Sequence, residues 1–478
     1  MEQKDKQKDK MPKVENPLGE LPVNGLLIKF AVPSIIAMLV SALYNIVDQF
    51  FIGRSVGGLG NAATNIAFPL SITCIAIALL FGIGGASSFN LSMGAGDKKT
   101  AAYYIGNSAV MLLVLGTMLC IFTQIFMTPL LKFFGSPDDV IGYAVTYTRI
   151  TSIGFPFLIF ATGGGHLIRA DGSPGMTMVC NMAGAVINTI LDAIFVFGFS
   201  MGMAGAALAT IIGQVVSAAI AVIYICHYKT VKIEIKHLKP QGKYLSKIIS
   251  LGASPFSNQV AMMVVQIVMN KSLKYYGSLS VYGEAVPIAC VGIITKVNQV
   301  FFSFLIGISQ GLQPIASFNY GAKKYSRVKS VYLRAVFYGA VLSVIAFIMF
   351  QVFPRNIIAV FGDGSEEYFQ FAVNYFRIFL FFTFLNFMQP ISSNFFTAIG
   401  KPKRGIFLSL TRQIIFLLPL LVILPLIMGI DGIMYAGPVA DCMAGLASII
   451  MVSRELKNPC YKKVSLTHQP PSPHSWGN

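Results

Sequence analysis

The sequence predicts an all-α integral membrane protein, with about twelve transmembrane helices in two parallel six-helix lobes related by a pseudo-two-fold axis along the membrane normal. Composition is the first reason. Hydrophobic residues make up 55% of the chain and charged residues 12%, with a mean hydropathy of +0.69, whereas a soluble domain carries roughly 25% charged residues. The second reason is a succession of apolar runs long enough to cross a hydrocarbon core of about 30 Å. The third is an internal repeat that pairs these runs six with six.

The runs fall at 26–52, 63–93, 101–131, 140–168, 174–198 and 204–228, and again at 246–275, 285–318, 328–353, 367–397, 405–428 and 433–453. Several exceed the roughly 20 residues an upright helix needs, which implies tilt or protrusion beyond the lipid. Their connections alternate in charge. Lys98 and Lys99 follow the second run, Arg169 the fourth, a series from Lys229 to Lys247 the sixth, Lys323, Lys324 and Arg327 the eighth, and Lys401, Lys403 and Arg404 the tenth. Odd-numbered connections carry Asp138-Asp139, Asp363 with Glu366-Glu367, or Asp431. Lysine and arginine accumulate on the cytoplasmic side, so both termini are predicted to be cytoplasmic. The net charge of +17 is then a topology signal and an attraction to anionic headgroups. Spread over separate short loops, it offers no continuous surface to nucleic acid.

Sliding the second half over the first by about 225 positions aligns Pro33 with Pro255 and Gly96-Asp97-Lys98-Lys99 with Gly321-Ala322-Lys323-Lys324. Phe134-Gly135 then falls on Phe361-Gly362, Ala170-Asp171-Gly172-Ser173-Pro174 on Ala398-Ile399-Gly400-Lys401-Pro402, and Gly202-Met203-Ala204-Gly205 on Gly429-Ile430-Asp431-Gly432. Six is even, so both units begin on one side of the membrane and the repeat is parallel, with a cleft between the lobes. The chain divides into a disordered tail (1–15), an N-terminal lobe (16–228), a basic cytoplasmic linker (229–245), a C-terminal lobe (246–456) and a cytoplasmic tail (457–478) with a proline-rich, disordered end. Residues 1–15 lack the apolar core of a cleavable signal. The seven cysteines are scattered, without metal-binding spacing.

A carboxylate inside an apolar span is expensive and marks an ion, proton or substrate pathway. Asp48 lies in the first run, Asn188 and Asp192 in the fifth, and Thr210 in the sixth. Asn188 and Asp192 are four apart and share a helix face. The repeat places Asn270 where the first lobe has Asp48, so the lobes are built alike but charged differently. Two carboxylates in one low-dielectric pocket do not both ionise cheaply. With the Asn188 and Thr210 oxygens they suit Na+ or a relayed proton, and both readings use the same atoms. In the second lobe, Lys296 pairs with Glu284 or snorkels to an interface, and Asp441 is a second candidate carboxylate. His166 is expected to meet water at the cytoplasmic end of the fourth span. Gly94-Ala95-Gly96-Asp97-Lys98-Lys99 suits a tight turn.

Pro33-Ser34, Tyr44-Asn45-Ile46-Val47-Asp48, Phe51-Ile52-Gly53 and Ala67-Phe68-Pro69-Leu70 resemble the first two helices of the multidrug and toxic compound extrusion (MATE) transporters. Asn188-Thr189-Ile190-Leu191-Asp192 and Gly202-Met203-Ala204-Gly205-Ala206-Ala207, leading to Thr210, resemble their fifth and sixth. The likeness runs over 16–456. Its details are similar to the DinF-like bacterial branch, which implies that Asp48, Asn188, Asp192 and Thr210 form a cation or proton site. The NorM-like pattern, with carboxylates in helices seven and ten, is not followed: Asn258, Gln259, Gln266 and Asn270 stand in one, and Asn386, Gln389 and Asn394 in the other.

The resemblance implies rocker-switch efflux of amphiphilic, often cationic compounds against H+ or Na+ from a bacterial cytoplasmic (inner or plasma) membrane, by a monomer among lipids and without a cofactor. Tyr44, Asn45, Met178, Asn181 and Gln214 are the candidate cavity residues, with adaptable Met and Phe side chains around them. A flippase for a lipid-linked precursor is the alternative, though the acidic first lobe argues against a diphosphate cargo; export of an endogenous metabolite is another. An enzyme is not expected, since H-E-x-x-H and G-x-S-x-G motifs and paired aspartate-rich diphosphate motifs are missing. The sequence has no P-loop either.

Overall fold

The computed structural model describes residues 16–280, 283, 285–360 and 366–462, and every regular element among them is helical. In lipid a helix satisfies its backbone within one segment, so long apolar runs adopt it. The first lobe comprises Val23–Val56, Gly58–Gly94, Lys98–Ile125, the pair Ile141–Ile153 and Phe155–Ala170, Pro174–Asp192 continued by a π-helical turn Ala193–Gly198, and Gly202–Cys226. The second comprises Gly242–Ser278, Ala285–Gly321, Tyr325–Val352, the pair Glu366–Phe379 and Met388–Ala398, Pro402–Leu410 running through a π-helical stretch Thr411–Leu417 into Leu418–Met428, and Ile430–Leu456. They are called spans one to twelve below. Among the described residues, eleven single stretches are long and apolar enough to cross a membrane, the tenth of the twelve spans through Tyr368–Leu385, and the fourth qualifies as a bent pair.

Three predicted runs are not single helices. The fourth bends by 54° between Ile153 and Phe155, where Gly154 is followed by Pro156, whose ring and missing N–H favour the first turn of a new helix. The tenth breaks after Phe379 into a 3-10 turn, Phe381–Leu385, and resumes at Met388; Pro390 in the first turn of the resumed helix cannot donate to Asn386, which explains the restart. The third ends at Ile125, and a separate short helix, Met127–Phe133, carries Pro129 in its first turn. The seventh begins at Gly242, inside the stretch expected to be linker. The predicted tail 1–15 and residues 463–478 of the predicted tail 457–478 lie outside the described residues, as do 281, 282, 284 and 361–365.

Glycines and caps set the ends. Gly96, at φ +83°, turns the chain between spans two and three, and Asp97 caps span three by accepting from the Thr100 N–H at 3.0 Å. Hydrogen bonding from the Thr100 side chain, then from its N–H, holds the Asp97 carboxyl below the usual carboxylate range. A buried acid also ties spans together at the same place in each lobe. Asp171 accepts from the Lys229 and Thr230 N–H groups and the Tyr224 and Thr230 hydroxyls. Glu455, at the end of span twelve, binds Lys401 and Arg404.

The lobes meet at the end that bears the basic connections. A Cβ on Gly84 or Gly252 would overlap the Ile248 or Leu80 carbonyl, and one on Gly94 or Gly321 would overlap that of Phe318 or Leu91. Only glycine permits spans two and seven, and two and eight, to touch backbone to backbone. Polar bonds close the same end: Gln313 donates to Ser87 Oγ at 2.9 Å, Asn319 to the Leu18 carbonyl at 2.8 Å, and Tyr338 to Asn24 Oδ1 at 2.7 Å.

Candidate functional site

Spans five and six cross at a pair of glycines. A Cβ on Gly213 would lie 2.6 Å from the Gly184 carbonyl and 3.0 Å from Asn188 Cβ, so the helices approach as closely as backbones allow. Ser217 fastens the crossing by donating to the Cys180 carbonyl at 2.9 Å. One turn beyond it, Asn188 Nδ2 donates to Thr210 Oγ1 at 3.4 Å. Another turn along, Asp192 is 0% exposed, and its charge is in range of Asp48 on span one, itself 9% exposed. Tyr44, and Tyr147 on span four, lie within electrostatic reach of both carboxylates.

The unsatisfied atoms of this cluster are all acceptors. Asp48 Oδ1, both Asp192 carboxyl oxygens, Asn188 Oδ1 and, one turn past Thr210, Gln214 Oε1 are buried and receive no donor among the described residues. Buried acceptors without donors are costly; a proton, an oxygen-binding cation or a donating water molecule relieves that cost. Among the described residues, no group of three or more His, Cys, Asp or Glu is placed to hold a metal ion.

The remaining cavity candidates spread along the same spans. Met178 and Asn181 are half-buried two turns or more from Asn188, toward the basic end. Asn45 is exposed and donates to the Ser41 carbonyl of its own helix at 2.8 Å. Gln214 presses its side chain against Gly154, joining span six to the bend of span four. Nothing in the sequence singles out Tyr147, because a tyrosine in an apolar run reads as an interfacial anchor.

The second lobe holds a buried acid of another kind. Asp441 accepts from Arg412 Nε at 2.5 Å, with side-chain exposures of 1% and 13%, and the guanidinium lies over the Phe302 ring at 5.9 Å. Asp441 is therefore a paired charge, and Arg412, inside the π-helical stretch, escaped the sequence reading. On span seven, Gln266 donates to Asn270 Oδ1 at 3.0 Å. Lys296 is half-buried and makes no ion pair among the described residues; Glu284, its expected partner, lies outside them. His166 corrects the expectation of a water-exposed imidazole. It is 5% exposed, 3.1 Å from the buried Arg169 guanidinium, because the neighbouring Gly163 lets span four pack directly on Gly82 of span two.

The MatE family model matches the chain twice, over 33–194 and 256–423, one copy in each lobe. Multidrug export protein MepA of Staphylococcus aureus (strain MSSA476) is 24% identical over 432 residues, covering 90% of this chain and 94% of its own. The Staphylococcus saprophyticus protein of the same name is 23% identical over 427 residues, covering 89% and 92%. Among solved structures, a MOP superfamily transporter from Pyrococcus furiosus, described as having a binding pocket of reverse polarity, superposes with a TM-score of 0.86 at 20% identity over 94% of this chain and 99% of that one. An outward-facing multidrug resistance MATE family transporter gives the same score, identity and coverage. These structures share the fold. With a model matched in both six-helix lobes, the chain belongs to the MatE family of multidrug and toxic compound extrusion transporters, which are transporters and not enzymes.

Proposed function

We propose that the protein is a secondary antiporter of the DinF-like kind, exporting amphiphilic, often cationic organic compounds across a bacterial inner or plasma membrane against H+ or Na+. Asp48, Asn188, Asp192 and Thr210 carry the coupling ion. The observation that carries this reading is the contrast between the lobes: Asp441 and Glu455 in the second are neutralised by arginine and lysine, while Asp48 and Asp192 in the first have no basic partner among the described residues and leave acceptors open. A charge pair with no fixed counter-ion takes a mobile one. An entering cation that occupies the carboxylates displaces a cationic drug from them, which gives the difference in affinity between states that alternating access requires. One-for-one exchange of monovalent cations moves no net charge, so the membrane term of about 2.3 kcal/mol per charge per 100 mV cancels. The concentration gradients then drive the exchange, at about 1.4 kcal/mol per tenfold.

The test is efflux of a fluorescent lipophilic cation from liposomes holding purified protein, under an inward H+ gradient in one set and an inward Na+ gradient in the other. One gradient should drive export and name the ion. Asp48→Asn and Asp192→Asn should each reduce gradient-driven export by at least about a hundredfold, more than 2.7 kcal/mol, with folding and insertion intact. Normal export by both variants overturns the carboxylate mechanism.

A further inference from the structure

The two seams between the lobes are finished differently. At one, between spans three and seven, the linker closes the basic end: its short turn Ile235–Leu238 lies on span three, Asn107 binds the His237 and Lys239 carbonyls and the Gln241 N–H, and Tyr244 stacks on Tyr103 at 4.8 Å. At the pseudo-equivalent seam, between spans one and nine, no linker runs among the described residues. A recess of about 520 Å³ opens there, lined by Asn24, Ser326, Lys329, Ser330, Arg334 and Tyr338. It continues into a groove of about 210 Å³ between the same two spans, walled by side chains such as Ile28, Val32, Val341 and Leu342, with Tyr338 shared by both. Neither is lined by an acidic residue.

We propose that this seam binds an anionic glycerophospholipid from the leaflet at the basic end. Two cations and two serine hydroxyls sit where span nine emerges, a set that suits a phosphate diester with a further negative or hydroxylated headgroup. Apart from Tyr338 the groove below is walled by apolar side chains, and Ile28, Val32 and Val341 are exposed along it. From Lys329 to Val341 the helix descends about 18 Å at about 1.5 Å per residue, close to the half-thickness of about 15 Å of a hydrocarbon core, so one acyl chain fits along it. Spans one and nine belong to opposite lobes, and the Tyr338–Asn24 bond crosses between them. A lipid seated here touches both lobes and favours the arrangement in which the basic end is closed. Its lining on span one, Asn24 to Ile35, ends thirteen residues before Asp48, about 20 Å along the helix, and the proposal does not depend on the role of the two carboxylates.

The chain has one tryptophan, Trp476. With W476F as background, V341W reports from the groove, and I223W, on the exposed side of span six, reports from a remote lipid-facing surface. The full chain is placed in nanodiscs of phosphatidylcholine with increasing fractions of phosphatidylglycerol or phosphatidylcholine brominated on the acyl chain. Brominated phosphatidylglycerol should quench V341W at about a tenfold lower fraction than brominated phosphatidylcholine. I223W should show no such preference, and K329Q/R334Q should abolish it at V341W without altering thermal unfolding. Equal quenching by the two lipids at V341W overturns the proposal. So does an equal preference at I223W, which would be general attraction to a chain of charge +17. Loss of the preference on adding soluble glycerol phosphate would assign the recess to a free phosphate compound and overturn the lipid.

Discussion

Buried charge separates two sorts of residue in this molecule. Arg412 and Asp441 hold each other in place, so removing one strands the other in a low-dielectric interior, at a cost of about 3–5 kcal/mol. Arg412→Met should therefore lower the thermal unfolding temperature of the detergent-solubilised protein markedly, and R412M/D441N should recover most of the loss. An unchanged transition in R412M would mean that the pair contributes nothing to the fold. Asp192 has no such partner, so its removal as Asn deletes a charge without orphaning one. In the sequence Asp441, a lesser candidate than Asp48 and Asp192, is like them an acid in an apolar run. What separates them is the residue 29 positions ahead of Asp441, brought opposite it by the packing of spans eleven and twelve, and no periodicity in the chain reports that.

At the scale of elements, the linker is held by side chains that can be removed one at a time. Asn107 is 0% exposed and supplies three bonds to it. At about 1 kcal/mol each, their loss in Asn107→Ala should raise trypsin cleavage within 229–243 by at least about tenfold, with the spans still protected. Equal cleavage would mean that the linker docks by apolar contacts alone. The turn has a pH response too. His237 accepts the Glu234 N–H on Nδ1 and meets the Tyr103 ring edge-on at 4.6 Å. Burial, then the Lys236 charge, hold its imidazole below the ordinary value, with Glu234 opposing and Lys99 adding to the effect. A histidine depressed by folding stabilises fully above its unfolded value of about 6.5, and that stability is lost as pH falls through the folded value. Tryptic protection of the linker should thus weaken on acidification below about pH 6.5, and H237N should flatten the response. Hydropathy placed the spans because each is a contiguous stretch whose burial in lipid needs no partner. It missed the breaks at Gly154 and Phe382 because prolines in first turns look like any other apolar residue to a window average. Likewise, the spacing of Asn188 and Asp192 puts them on one face, but Thr210 reaches Asn188 only through the Gly184–Gly213 crossing.

For the whole molecule, the repeat matters more than any single span, because two alike lobes in backbone contact at one end have a natural place to rock about. That basic end is closed by glycine contacts and by Gln313, whose amide donates to Ser87 across the lobes. If transport requires the lobes to part there, a short tether should arrest it. S87C/Q313C, in a chain whose seven native cysteines are replaced, should lose gradient-driven efflux on treatment with a short dithiol-specific crosslinker and regain it on reduction. Each single cysteine should be unaffected by the same reagent. The glycines make the expectation stringent: helices in backbone contact cannot slide without first separating, so a tether of a few ångströms leaves no partial movement. Full-rate efflux by the crosslinked protein would mean that the cargo leaves by a path that never opens this end, and the rocker-switch would fail with it.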